Sequence, residues 1–167
     1  GKAGPRDKST VAVELDPEGG VTVYGSIADP GEGNDAMLAQ LVAHAMGVPV
    51  ERVRLVTRDT ETTPDSSSVS GSRATYMSGG ALLLAVGALK MAMSEAGATT
   101  YEEMIRAGKP VRYLGTKIQE TTPLDPETGQ GIPYESRVHG VQMAEVEVDL
   151  ETGRLMVLKM TAVVDAG

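Results

Sequence analysis

Hydrophobic and polar residues alternate in the first part of the chain and predict a β-hairpin. The alternation covers residues 10–15 and residues 21–27. Residues 16–20 between them read Asp-Pro-Glu-Gly-Gly, a composition typical of a turn. We therefore expect two antiparallel strands in this region.

The spacing then becomes helical, after a first loop rich in small residues. Apolar side chains recur from Met37 to Ala45, behind the loop at residues 28–35. Asn34 or Asp35 is the expected N-cap of this helix, and Gly47 its end.

The same plan is repeated further along the chain. A short strand at residues 53–57 leads into a second loop at 62–73, which is mostly Ser, Thr and Gly, and then into an apolar helix. Ser72 or Thr75 is the expected N-cap of this helix. Gly79, Gly80 and Gly87 lie within it, and the apolar residues around them, at 82–86 and 88–89, leave no wide polar face. We therefore expect it to be buried and closely packed.

The rest of the chain adds mainly strands. Thr100 and Glu103 form a capping-box pattern for a short helix at residues 101–107. A strand at residues 111–116 precedes an irregular stretch, and long strands are expected at residues 138–150 and 154–164. The order predicts an α+β fold, a mixed, mainly antiparallel sheet with two main helices packed on it. We expect a flexible lead-in at residues 1–9 and a single α+β domain from 10 to 167.

Composition narrows the function classes. The 167 residues carry a formal charge of −8, which argues against nucleic-acid and anionic-membrane partners. The chain has no cysteine, which excludes disulfides and thiolate metal sites in it and fits a cytoplasmic protein. We expect no membrane span, because glycines, Lys90 and Glu95 interrupt the longest apolar run.

The two loops are the candidate site. Each leads from a strand to the N-terminus of a helix, where unpaired amides and a partial positive charge favour an anion such as a phosphate. Arg73 would add a forked cation there. Two such loops could hold one elongated ligand from two sides.

Two other interpretations remain open. The loops could be ordinary helix caps in a non-catalytic scaffolding or subunit-contact module, in which case they need not lie together. A serine hydrolase would need a histidine close to one of the serines at 66–72, and no Gly-x-Ser-x-Gly motif is present. Neither His44 nor His139 has the spacing of a metal site, and no carboxylate stands out as a base, so we predict no catalytic and no metal-binding residue.

Four stretches of the chain stand out together by their order and spacing. They are residues 29–33, Asp-Pro-Gly-Glu-Gly, residues 62–66 with 70–73, residues 139–153, and residues 163–167. Together they resemble the molybdenum-cofactor-binding subunit of the xanthine dehydrogenase and aldehyde oxidoreductase family. The first stands where that family has a Gly-Gln-Gly type loop, the second is similar to its second cofactor loop, the third to its late strand pair, and the fourth to the strand that leads into a further cofactor-binding helix.

The resemblance implies a molybdopterin cofactor, in bacteria often the cytosine dinucleotide, and hydroxylation of an aldehyde or N-heterocycle with oxygen from water. Iron–sulfur clusters and FAD would lie only on other domains or subunits, so the implied partners are those subunits and the remaining part of the molybdenum subunit. The domain would be part of a molybdopterin-binding domain truncated at its C-terminus. The implied cofactor-binding residues are Gly31, Glu32, Gly33, Ser70, Gly71, Ser72 and Arg73.

The sequence departs from the family pattern at two points. Glu32 stands where the family usually has Gln. The Gly-x-Gly-Glu motif that carries the family's catalytic glutamate is not found in this chain, so we expect the chain alone to be inactive.

Overall fold

The computed structural model of the chain describes residues 7–133 and 138–165. By its contacts the chain divides into two compact units, with the boundary after residue 133, and each is described by itself. The expectation of a single domain over residues 10–167 stays a prediction. Residues 1–6 of the predicted lead-in, and residues 166–167 of the last motif, lie outside the described residues. Lys8 and Ser9 of that lead-in already belong to the first strand.

The first unit contains a four-stranded sheet. Its strands are β1 (Lys8–Leu15), β2 (Val21–Tyr24), β3 (Val53–Val56) and β4 (Arg112–Ile118), in the order β3-β2-β1-β4. β1 is antiparallel to both β2 and β4, whereas β2 and β3 are parallel. This mixed, mainly antiparallel sheet confirms the predicted fold class.

Helices connect the strands. The parallel β2–β3 pair needs a crossover, which helix α1 (Asn34–Met46) and a 3₁₀ turn (Val50–Arg52) provide. After β3 a π-helical segment (Ala74–Gly79) continues directly into α2 (Gly80–Ala96), and α3 (Tyr101–Arg106) follows.

Two of the predicted helix ends are confirmed. Gly47 ends α1 in the left-handed conformation, with φ 73°. At α3 the Thr100 hydroxyl accepts from the Glu103 amide, and the Glu103 side chain accepts from the Thr100 amide. Both signals depend only on residues within one turn of the helix end.

The other N-caps were predicted wrongly. Gly33, not Asn34 or Asp35, is the N-cap of α1, and Arg73, not Ser72 or Thr75, that of the π-helical segment. Neither N-cap residue caps its helix with a side-chain hydrogen bond. Ser72 has a φ of 58°, so the chain turns through a left-handed residue before this helix begins.

The core of the first unit is aliphatic. The helices α1 and α2 contribute Leu38, Val42, Leu82 and Leu89 to a cluster with the inward side chains of β1 and β2, and Met104 of α3 joins it. This packing places the N-terminal ends of the first two helices beside the sheet edge where β2 and β3 end.

Close packing of α2 is confirmed at some positions only. A Cβ built at Gly80 would lie 2.5 Å from Cδ of Lys117, and one at Gly79 would lie 2.9 Å from Cδ1 of Leu41. A Cβ at Gly87 would meet nothing within 4 Å, and Leu84 is 53% exposed. The helix is therefore buried on one face rather than all round.

The helical stretch at residues 74–96 corrects the statement that the longest apolar run is too interrupted to span a membrane. Its 23 residues are long and apolar enough, by length and composition alone, to cross a membrane. Half of its most apolar window is buried within the protein, where it packs against β1 and β4. A buried core helix has this composition because its inner face contacts other apolar side chains.

The second unit is a two-stranded antiparallel ribbon. β5 (His139–Val148) pairs with β6 (Leu155–Asp165), from His139 opposite Asp165 to Val148 opposite Leu155, with an irregularity at Glu145 and Val146. Large apolar side chains such as Val141 and Met160 are exposed on it. The predicted strand pair is thus present.

Candidate functional site

The two candidate loops leave the same edge of the sheet. The first loop (residues 28–33) connects β2 to α1, and the second loop (residues 62–73) connects β3 to the helical stretch at 74–96. Because β2 and β3 are parallel, their carboxyl ends meet at one edge, where ligands of such sheets commonly bind.

The two loops border one cavity of about 440 Å³. It is lined by Pro30, Glu32 and Asn34 on one side and by residues 69–75 on the other. Ser70, Gly71, Ser72 and Arg73 of the predicted site therefore face the same space as Glu32. Gly31 and Gly33 do not line it. The two loops therefore lie together at one cavity, as a shared site requires and as unrelated helix caps need not.

Asp29 explains why Gly31 and Gly33 lie away from the cavity. Its carboxylate accepts hydrogen bonds from the amides of Gly31 and Gly33, both at 3.0 Å, and of Asp35 at 3.1 Å. The bonds from Asp35, Gly31 and Gly33 hold the pKa of the Asp29 carboxyl below its usual value. The first loop thus turns alternate residues to opposite sides, 31, 33 and 35 toward Asp29 and 30, 32 and 34 toward the cavity.

Arg73 is a buried structural cation. Only 1% of its side chain is exposed, and its guanidinium binds the carboxylate of Asp7 at 2.9 and 3.0 Å. It also donates to the backbone oxygens of Ser66, Ser68 and Lys8. These bonds use all five N–H donors of an arginine, so the predicted side-chain contact with an anion is not supported by its geometry.

The second loop is also held by backbone and serine hydrogen bonds. The Ser66 hydroxyl donates to the Thr10 oxygen at 2.7 Å, and the Ser66 amide donates to the Ser26 hydroxyl at 2.9 Å. Ser67 and Ser72 have positive φ values of 63° and 58°. Ser66 is fully buried, which makes it a structural residue rather than a nucleophile.

The donors that remain at the cavity are backbone amides and hydroxyl groups. Ala74 and Thr75 line it at the start of a helix that has no side-chain capping hydrogen bond from its N-cap residue. Arg73, the sole cation among the described residues that line it, is paired with Asp7. Glu32 lines the cavity as well, and its carboxylate accepts from the Asn34 side-chain amide. An anion would therefore be bound by amides and the helix dipole rather than by a charged side chain.

The structure does not provide a serine-hydrolase site. His44 lies ten residues beyond the cavity-facing start of α1, or about 15 Å along its axis. His139 belongs to the second unit. Within residues 7–133 and 138–165, no cluster of three or more His, Cys, Asp or Glu side chains could hold a metal.

Sequence reasoning missed several residues of the site. Pro30, Val69 and Ala74 line the cavity, but nothing in their side-chain chemistry distinguishes them in the sequence. Asp29 could have been found, because aspartate often accepts from amides a few residues ahead. Asp7 could not, since it lies 66 residues from Arg73.

Comparison with known proteins agrees with this architecture. The model of a molybdopterin cofactor-binding domain matches residues 2–167. Aldehyde oxidoreductase of Megalodesulfovibrio gigas is 36% identical over 173 residues, which cover 100% of this chain and 19% of that protein. The crystal structure of aldehyde oxidoreductase from Desulfovibrio desulfuricans matches with a TM-score of 0.81 at 33% identity, over 98% of this chain and 18% of that chain.

A more distant match extends the likeness of fold. A crystal structure of a Cu,Mo-CO dehydrogenase matches with a TM-score of 0.64 at 17% identity, over 98% of this chain and 24% of that chain. The chain thus belongs to the molybdopterin cofactor-binding domain family of the xanthine dehydrogenase and aldehyde oxidoreductase kind. It spans about a fifth of the length of the two aldehyde oxidoreductases.

Proposed function

We propose that this chain is the part of a molybdenum hydroxylase that binds the phosphate end of a molybdopterin cofactor, in the cavity between the two loops. The main observation that supports this proposal is that Glu32 and residues 70–73 border the same cavity. Family membership supports a molybdopterin as the ligand. We further propose the cytosine dinucleotide as its form.

The residues at the cavity fit such a group. A pyrophosphate needs several converging donors. The amides of Ala74 and Thr75, with the hydroxyls of Ser70, Ser72 and Thr75, are of the required kind. The helix beginning at Ala74 adds the positive end of its dipole. We assign Glu32 to the rim, where its bond to Asn34 holds the carboxylate within the first loop.

The redox chemistry would belong to the longer protein. When bound, the cofactor supplies the centre at which an aldehyde or N-heterocycle is hydroxylated with oxygen from water. This chain holds and orients the cofactor, and electron carriers on other domains or subunits complete the turnover. We propose that the chain alone does not catalyse, and molybdenum-independent oxidation of an aldehyde by the isolated 167 residues would contradict this.

The test measures cofactor content in the full-length protein that carries this chain. Molybdenum per protein and the nucleotide released by acid hydrolysis are determined for the parent and for Ser70→Asp. The new carboxylate would lie at the cavity and repel a phosphate, so we expect at least roughly a tenfold loss of bound cofactor.

Ser70→Asn is the matched control, because asparagine has the size of aspartate without its charge. This variant should keep the cofactor. Equal cofactor content in Ser70→Asp and the parent would refute the proposed site. A parent protein that is folded but holds neither molybdenum nor a pterin nucleotide would favour the scaffolding module instead. Released CMP would support the cytosine dinucleotide.

A further inference from the structure

The buried ion pair between Asp7 and Arg73 is the strongest polar feature that the proposed function leaves unexplained. We propose that Arg73 is a positioning residue, which gathers two carbonyl groups of the second loop around its guanidinium and so turns the Val69 amide toward the cofactor cavity. The inference rests on the proposed function, since it assigns a role in forming that same site.

The geometry of the loop carries the argument. Two nitrogens of the guanidinium bind Asp7, while Nη1 donates to the oxygen of Ser66 at 3.0 Å and to that of Ser68 at 2.7 Å. In a trans peptide the N–H points opposite to the C=O of the same unit. The Val69 amide therefore points away from the guanidinium, and Val69 lines the cavity.

The left-handed Ser67 makes this arrangement possible. Its φ of 63° lies between the two carbonyls that Arg73 collects. The Ser67 amide itself donates to the Asp65 carboxylate at 2.8 Å, which leaves the Val69 amide as the one directed to the cavity side. Without the guanidinium, the carbonyls of Ser66 and Ser68 would face each other with no donor between them.

Asp7 fixes the position of the guanidinium relative to the sheet. It directly precedes β1, and its backbone oxygen accepts from the amide of Gln119, just after β4, at 2.8 Å. Arg73 also donates to the backbone oxygen of Lys8, in β1, at 3.0 Å. The pair thus ties the second loop to the start of β1 and the end of β4.

The test uses the full-length protein with Asp7→Asn, Arg73→Lys and the double variant. Lysine keeps the charge but has no planar fork, so it cannot bind Asp7 and two carbonyls together. We expect cofactor occupancy to fall roughly tenfold or more in each single variant, and the double variant to be no worse than Arg73→Lys. Asp7→Glu, which keeps the carboxylate, should restore part of the loss.

Hydrogen exchange gives a second readout that does not depend on the cofactor. Exchange in peptides covering residues 62–73 should rise at least roughly tenfold in Asp7→Asn, while peptides in α3 keep the parent rate. Lys109→Gln breaks an exposed ion pair with Glu95 and is the matched control, expected to change neither exchange nor occupancy.

The outcomes separate the possibilities. A direct phosphate contact predicts that Arg73→Lys keeps the cofactor, because an ammonium binds phosphate well, and that Asp7→Asn does not lower occupancy. Either result, or unchanged exchange at residues 62–73 in Asp7→Asn, overturns the positioning role. If the parent holds no cofactor while exchange still rises in Asp7→Asn, the proposed function fails and the loop-ordering role stands. If Arg73→Lys does not fold, Asp7→Asn and Asp7→Glu decide alone.

Discussion

At the scale of single residues, one charged side chain organises each loop: Asp29 accepts hydrogen bonds in the first, and Arg73 donates them in the second. Asp29 collects three amides in the first loop, and Arg73 collects two carbonyls of the second loop and one of Lys8. Neither group is available to a ligand in this arrangement. These two charged side chains thus shape the loops, and the donors that remain at the cavity are neutral amides and hydroxyl groups.

The two left-handed serines give a paired prediction. A residue other than glycine in this conformation costs about 1 kcal/mol, so Ser67→Gly and Ser72→Gly should each raise the free energy of unfolding by up to about that amount. Only Ser72 lines the cavity, so only Ser72→Gly should also lower cofactor occupancy. Thermal unfolding measures the effect on stability, and molybdenum content measures the effect on cofactor occupancy. Equal occupancy in both variants would show that the Ser72 hydroxyl does not bind the cofactor.

Features of single residues could be predicted from the sequence only where they depend on near neighbours in the chain. The capping box of Thr100 and Glu103 and the terminal Gly47 were predicted correctly, because each depends on neighbours within one helical turn. The partner of Arg73 was not predictable, since the fold alone brings Asp7 to it. The hydrogen bonds of Arg73 within the protein do not support the predicted anion contact of its side chain, which stays a prediction.

At the scale of elements, the packing of α2 on β4 depends on a glycine in the strand that the sequence analysis did not single out. A Cβ built at Gly115 would lie 2.1 Å from the backbone oxygen of Ala81 and 2.3 Å from the amide of Ala85. Backbone atoms cannot move aside as a flexible side chain can. The helix therefore lies on this strand at the distance that a missing side chain allows.

Two alanine substitutions test this contact. Gly115→Ala should destabilise the protein by about 1–3 kcal/mol, because the new methyl group overlaps the backbone of α2. Gly87→Ala, in α2 itself, meets nothing within 4 Å and should stabilise it by about 0.5–1 kcal/mol through higher helix propensity. Chemical denaturation measures both, and a neutral Gly115→Ala would show that α2 can move away from β4.

The capping box of α3 predicts a pH dependence. Hydrogen bonds from the amide and hydroxyl of Thr99, and from the Thr100 amide, hold the pKa of Glu103 below the ordinary glutamate value of 4.5. A depressed carboxyl pKa stabilises the fold above the unfolded value and loses this effect as pH falls through the folded value. The difference in melting temperature between the parent and Glu103→Gln should be full at pH 7 and shrink below pH 4.5. Glu102→Gln, which leaves the box intact, is the control, and a pH-independent difference would contradict the assignment.

At the scale of the whole molecule, strand direction decides where the candidate site lies. The sequence predicted both strand–loop–helix units but not that β2 and β3 would be parallel neighbours. That pairing brings both loops to one edge, and it depends on long-range packing that no local pattern contains. The two similar loops therefore indicated a shared cavity correctly, although the sequence did not reveal the parallel strand pairing that creates it.

The ribbon of β5 and β6 supplies a prediction at this scale. Two-stranded hairpins are at best marginally stable in water, and apolar residues such as Val141 and Met160 are exposed on this one. A peptide of residues 138–165 should therefore show the circular dichroism of an unfolded chain. A piece covering residues 7–133, which contains the aliphatic core, should unfold cooperatively. A stably folded isolated ribbon would contradict this view.

The alternation within the first loop has one further consequence, which concerns length rather than identity. Odd positions from 31 to 35 bind the Asp29 carboxylate, and even positions from 30 to 34 face the cavity. Deleting or inserting one residue between 29 and 34 would exchange the two sets, so that amides now used internally would be exposed and the outward ones would be withdrawn. We expect an insertion or deletion here to be tolerated even less than a point substitution, because it displaces every later amide from the Asp29 carboxylate at once.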